Sequence, residues 1–139
     1  MIVLDTNVVS ALMRRDPDPG VVAWLDELPA ESVWTTAVTI FEIRFGLALM
    51  VPSRRRRQLE EAFTRSLEED LDQRILPFDE SAASAAGAMA AMRRRAGRSV
   101  EIRDALIAGI VSARKATLAT GNRRHFDAFE IRIVDPWSS

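Results

Sequence analysis

The chain has 139 residues, 47% of them hydrophobic, and a formal net charge of −1; one domain over 1–139 is expected, able to bury roughly two-thirds of its unfolded surface without staples. It contains no cysteine, which excludes disulfides and thiolate metal sites and leaves any metal to oxygen donors or to the single histidine, His125. No apolar run approaches the roughly twenty residues of a membrane span, and the N-terminus lacks the basic region and apolar core of a signal peptide, so a cytoplasmic protein without membrane contact is expected.

Ile2–Leu4 is a wholly apolar run that reads as a strand buried on both faces, and it stops at Asp5. Thr6 or Asn7 can cap a helix starting at Val8. Asp5 then falls at a strand's carboxyl end, the edge where open parallel sheets bind ligands. Taken alone, Asp5-Thr6-Asn7 reads first as a polar strand-to-helix turn, and other carboxylates must reach the same edge to change that. Asp18 can cap a second helix with Val21, Val22, Leu25 and Leu28 inward, which Pro29 ends. Residues 32–36 read as the next strand.

From Ala37 the pattern is helical, with Val38, Glu42, Phe45 and Leu49 along one expected inner row. Glu42 is the exception in that row, because burying a carboxylate is costly without a cation or an arginine partner. Pro52 ends this helix and Ser53 can cap a charged one to about residue 72, with Leu59, Phe63 and Leu67 inward. Residues 75–78 read as a third strand. Asp79 opens an alanine-rich helix to residue 96, closed by Gly97, whose small residues Ala82, Ala85, Ala86, Ala88 and Ala90 allow close approach by the sheet or by a second subunit.

A further helix over 102–114 places Ile102, Leu106, Gly109, Ile110 and Ala113 on one face and holds Asp104 in its first turn, off that face. An acid there is also favoured by the helix dipole whatever its function. Residues 117–120 and 131–134 read as strands, separated by a turn or short helix at 121–124. Strands alternate with helices throughout, which predicts a three-layer α/β/α sandwich around a parallel sheet of about five strands.

Of the 19 basic residues 18 are arginine. They cluster at 54–57, at 93–95 with Arg98, and at Arg123-Arg124, forks that suit phosphate. For the first cluster, pairing of Arg56 and Arg57 with Glu60 and Glu61 on a solvated helix face is favoured. Asp5, Glu42 and Asp104 each follow a strand or open a helix, so they can converge on one sheet edge. Acids so close repel one another unless a cation neutralises them, and an all-oxygen set suits Mg²⁺, with Mn²⁺ as substitute. Water made acidic by such an ion can attack a phosphodiester.

Five stretches carry a resemblance: Ile2-Val3-Leu4-Asp5-Thr6-Asn7-Val8-Val9-Ser10, Thr39-Ile40-Phe41-Glu42-Ile43-Arg44-Phe45-Gly46, Arg103-Asp104-Ala105-Leu106-Ile107-Ala108-Gly109, Leu118-Ala119-Thr120 and Asp135-Pro136-Trp137. In this order the chain resembles PIN-domain toxins of the VapC family, nearest to its FitB-like branch. The resemblance implies a PIN-like fold and a metal-dependent endoribonuclease, the toxin of a type II toxin–antitoxin system. It implies that Asp5, Glu42 and Asp104 hold the metal, that Thr6 and Thr120 support them, and that Asn7 braces the turn. It also implies an antitoxin with a ribbon-helix-helix DNA-binding end and a homodimer, to which the alanine-rich helix could contribute.

The family's fourth acid is missing. The two positions where relatives carry it are Asn122 and His125. Asn122 is the candidate for that place, offering a neutral carbonyl oxygen, and Arg123, Arg124 and His125 are candidates for contacting RNA. Two rival readings follow from the departure and from the chemistry: a catalytically weak RNA- or protein-binding module, and a metal-dependent nuclease acting on DNA.

Overall fold

The computed structural model describes residues 1–138, and residue 139 of the expected span lies outside the described residues. Strands β1 (Ile2–Leu4), β2 (Val33–Thr36), β3 (Ile75–Leu76), β4 (Thr117–Ala119) and β5 (Arg132–Val134) form one sheet in the order β3-β2-β1-β4-β5, with every neighbouring pair parallel. Parallel neighbours require crossovers, and helices supply them on both faces. Helices α1 (Thr6–Leu12), α2 (Pro19–Asp26), α3 (Ala37–Leu49) and α4 (Arg54–Arg65) serve the first half of the chain, and α5 (Glu80–Arg95), α6 (Ile102–Ala113) and α7 (Arg123–Phe126) the second. The three-layer parallel sandwich expected from the alternation is what forms.

The pleat divides the core in two. Val3 and Leu118 pack with Ile107, Ile110 and Phe126 on one side, whereas Leu4 and Ala119 pack with Val8, Val9 and Phe63 on the other. Because both faces are covered, β1 has no polar alternation. Strand order reverses at β1: the chain proceeds outward to β2 and β3, then returns to β4 on the other flank. Connections leave β1 and β4 in opposite directions, which opens a crevice beyond their carboxyl ends.

Side-chain caps fix where the helices begin. Asp18 accepts the Gly20 N–H at 2.8 Å, Thr36 the Thr39 N–H at 3.1 Å, Ser53 the Arg56 N–H at 3.1 Å and Asp79 the Ala82 N–H at 3.0 Å, each satisfying a donor that the first helical turn leaves unpaired. Gly97 closes α5 at φ 77°, a left-handed conformation that glycine adopts without steric cost. Helix α4 continues as one π turn, Ser66–Asp70, and its Arg56 pairs with Glu60 at 3.2 Å and donates to the Met50 carbonyl.

Three expectations about helix faces require correction. On α3 the buried residues are Val38, Thr39, Ile43 and Leu47, while Phe45 and Leu49 stand exposed beside Phe41; the helix is apolar nearly all round, so periodicity could not choose its inner side. Ile102 is exposed as well, since the buried run of α6 starts only at Ala105. Of the five small residues of α5, Ala82 and Ala86 are buried within the chain, Ala85 and Ala90 are half-buried and Ala88 is exposed. Ala82 and Ala86 press on Gly109 of α6, where a Cβ would lie 2.5 Å from the Ala82 carbonyl oxygen and 2.6 Å from the Ala86 Cβ. Close packing of small residues therefore joins two helices of one chain, and it supplies no argument for a dimer.

Candidate active site

Asp5 follows β1 directly and is itself the N-cap of α1, which starts at Thr6 and not at Val8. The expected caps, Thr6 and Asn7, are used otherwise. Asp5 Oδ1 accepts the Thr6 backbone N–H at 2.8 Å and Oδ2 accepts the Thr120 hydroxyl at 2.7 Å. Both carboxylate oxygens are thus fixed, one from each side of the crevice. The Asn7 amide spans the same gap, donating to Thr120 Oγ1 at 3.3 Å and accepting the Gly121 N–H at 3.3 Å, while the Asn122 N–H donates to Thr120 Oγ1 at 2.9 Å. Asp5 is 5% exposed, and burial raises its pKa above the ordinary 3.8 although the Thr120 and Thr6 hydrogen bonds pull it down.

Glu42 reaches the crevice from α3, whose start Thr36 fixes at the end of β2. The Thr6 hydroxyl lies 3.2 Å from Thr39 Oγ1 and donates to Glu42 Oε1 at 2.9 Å, so one threonine joins α1 to α3. The arginine partner considered for Glu42 is Arg103, with Nη1 3.7 Å from Oε2. Burial still raises the Glu42 pKa, opposed by Thr6 and Arg103 and reinforced by the charges of Asp5 and Glu101.

Asp104 turns out of the first turn of α6 toward the same place, away from the buried run. His125 Nδ1 lies 3.4 Å from its Oδ2. Burial pushes the Asp104 pKa from 3.8 up to about 6; His125 opposes the shift, and the negative charges of Asp5, Glu101 and Glu42 add to it. A raised carboxyl pKa means that the folded chain binds the proton more tightly than the unfolded one. The stabilisation is present below the ordinary carboxylate value and is lost as pH rises through about 6. Metal-free Asp104→Asn is therefore expected to melt above wild type at pH 7.5, with the gap closing toward pH 4. Thermal melts of both proteins across that range, in chelator, check the sign.

A cleft of about 850 Å³ gathers Asp5, Thr6, Asn7, Glu42, Asp104, Asn122 and His125. Thr120 lies buried beneath it. Arg123 and Arg124 do not line it, and Arg123 instead donates to the Ile133 carbonyl. The basic side chains that do are Arg14 and Arg103, joined by Asp18, Glu101 and Trp137, none of them assigned a site role from sequence. For Arg14 a signal existed: Asn7, Ser10, Ala11 and Arg14 have the spacing of a single helical face, and all four line the cleft.

The donor set suits a hard divalent cation. Several carboxylates facing one cleft raise one another's pKa, a conflict that a cation relieves. Among the described residues, no three acidic or histidine side chains close tightly enough to enclose an ion by themselves.

Known proteins share this architecture. The family profile described as PIN domain matches residues 2–131. The chain is 35% identical over 137 residues to Toxin FitB of Neisseria gonorrhoeae, covering 99% of both sequences. It is also 35% identical to a VapC ribonuclease of Sinorhizobium fredii, covering 99% of this chain and 98% of that one. The crystal structure of FitAcB from Neisseria gonorrhoeae superposes with a TM-score of 0.89 at 34% identity, covering 100% of both chains. With a parallel sheet of the same shape and a profile match over nearly its full length, the chain belongs to the PIN-domain family.

Proposed function

We propose that this chain is the toxin of a type II toxin–antitoxin pair and acts as an endoribonuclease that uses a divalent cation, Mg²⁺ or its substitute Mn²⁺. Asp5, Glu42 and Asp104 hold the ion. The observation that carries the reading is the meeting of these three acids, from the starts of α1 and α6 and from α3, in one cleft at the sheet's reversal point. A relative 35% identical is named a VapC ribonuclease, which supports RNA over DNA as substrate.

When bound, the cation neutralises the phosphodiester's charge and makes water a better nucleophile at neutral pH. The chain's own residues supply position. Thr120 and the Thr6 N–H fix the plane of the Asp5 carboxylate, and the Thr6 hydroxyl fixes one oxygen of Glu42, so little reorganisation is needed when charge develops. Arg103 stands beside Glu42 and can pair with a phosphate oxygen when substrate enters. Asn122 occupies the fourth position as a neutral oxygen donor, which weakens any second cation more than the first.

The partner we propose is a small antitoxin with a ribbon-helix-helix DNA-binding end. FitAB bound to a DNA fragment is among the similar solved structures, with a TM-score of 0.87, and a basic side chain from such a partner would neutralise the acidic cleft as a cation does. We also propose a homodimer, with the exposed Phe41, Phe45 and Leu49 of α3 as apolar surface available for burial. No helix among the described residues is long and apolar enough to cross a membrane.

Side-by-side digestion of single-stranded RNA and DNA with and without chelator tests the activity. RNA should be cut with Mg²⁺ and spared in excess chelator, and DNA should remain intact. Equal cutting of RNA in chelator would overturn the mechanism, and preferential cutting of DNA would overturn the substrate.

A further inference from the structure

Trp137 has no part in holding the carboxylates, yet it lines their cleft. It follows β5 in a turn held by Asp135, whose Oδ1 accepts the Trp137 backbone N–H at 2.9 Å and whose Oδ2 accepts the Ser138 hydroxyl at 3.1 Å. Its indole lies against Gly121, where a Cβ would come 2.8 Å from Cζ3 and 2.9 Å from Cε3 of the ring. Only a residue without a side chain admits the ring there. Gly121 is covalently next to Thr120, which holds Asp5, and its own N–H is bonded to Asn7. The ring is thus registered to the acids through a short, rigid path.

The other tryptophans differ. Trp24 and Trp34 pack against the two cores, whereas Trp137 is 41% exposed. A large aromatic backed by main chain and open to a polar cleft leaves a flat surface available to a planar ligand. Arg14, in the same cleft, makes no ion pair among the described residues, so a cation stands ready for the phosphate of whatever stacks there.

We propose that Trp137 is a stacking platform for an unpaired base of single-stranded RNA, seating the nucleotide beside the scissile phosphate while that phosphate meets Asp5 and Asp104. The proposal rests on the endoribonuclease reading and adds to it a residue that binds the substrate away from the acids. Bases inside a paired helix are stacked on their neighbours and cannot offer a face to the indole, so the platform admits loops and single strands and disfavours duplex. Because every base has a π-face, it contributes binding with little sequence preference.

Fluorescence anisotropy of a labelled random-sequence RNA of about 12 nucleotides, with Ca²⁺ in place of Mg²⁺, tests it on wild type, Trp137→Phe, Trp137→Leu and Trp137→Ala, with melting curves to verify folding. Trp137→Ala and Trp137→Leu should weaken binding of the single strand about tenfold, and Trp137→Phe by no more than about threefold. A duplex should bind more weakly and equally to all four. Leucine keeps an apolar contact on Gly121 without a π-face, so it separates stacking from mere filling of the turn. Unchanged single-strand binding by Trp137→Leu and Trp137→Ala would overturn the platform, as would equal losses for duplex and single strand. Cleavage by wild type in Mg²⁺ is scored separately. No cleavage together with the expected binding losses would sink the nuclease reading and uphold the platform, whereas cleavage with no dependence of binding on Trp137 would sink the platform alone.

Discussion

Asp5→Asn is expected to lower the rate of RNA cleavage by about 10³-fold or more, some 4 kcal/mol of transition-state stabilisation, with little loss of stability. The two effects separate because Asp5 has two jobs. As N-cap of α1 it accepts the Thr6 N–H, and asparagine caps as well as aspartate does. As a buried carboxylate it contributes negative charge to the cleft, which the amide cannot. Removing a charge whose pKa burial has raised also removes a desolvation cost, so the variant should melt no lower than wild type in metal-free buffer. Single-turnover cleavage alongside a thermal melt checks both halves. A fall in activity that merely tracked a fall in stability would mean that Asp5 serves only the fold.

The second large effect belongs to packing. Gly109→Ala should destabilise the protein by about 3 kcal/mol, lowering its melting temperature by roughly 10 °C. The added methyl would lie 2.5 Å from the Ala82 carbonyl oxygen and 2.6 Å from the Ala86 Cβ, and neither can rotate away, since one is main chain and the other is fixed to it. Helices α5 and α6 would have to separate, and α6 carries Asp104. Gly87→Ala on α5 is the matched control. Nothing lies within 4 Å of a Cβ there, and alanine in an exposed helix interior should stabilise by up to about 1 kcal/mol. Chemical denaturation of the two variants measures the contrast, and equal effects would contradict the packing account.

The strands and the three acids were legible in the sequence because each follows from local order. A buried parallel strand has to be apolar throughout and has to stop where its backbone meets solvent, and Leu4–Asp5 marks that boundary. Glu42 stood out as a charge inside an apolar helix, and Asp104 as an acid off a buried face. Three helix starts were legible for the same reason, since Asp18, Ser53 and Asp79 bond to donors within their own first turns, whereas α1 starts two residues before the expected Val8 with Asp5 as its cap. What could not be read depends on how elements cross. Helix α3 offers apolar residues on nearly every side, and only the sheet selects Ile43 and Leu47 over Phe45 and Leu49. The contacts of Glu101 and Trp137 with the cleft depend on where α6 and the chain's end meet, a relation no spacing rule contains, whereas Arg14 could have been found from its spacing to Asn7, Ser10 and Ala11. The alanine-rich helix showed that a close partner existed, but not that the partner was Gly109 in the next helix.

The proposed function requires Asp5, Glu42 and Asp104 to act together as one cation site. Calorimetric titration of Mn²⁺ into the chelator-stripped protein, set against Asp5→Asn and Asp104→Asn, addresses it most directly, because it reads occupancy without requiring the right RNA. Wild type should give a saturable heat that either substitution abolishes or greatly weakens, although the two residues lie on different helices and far apart in sequence. Saturable binding that survives both substitutions, or none in the wild-type protein, would contradict the account.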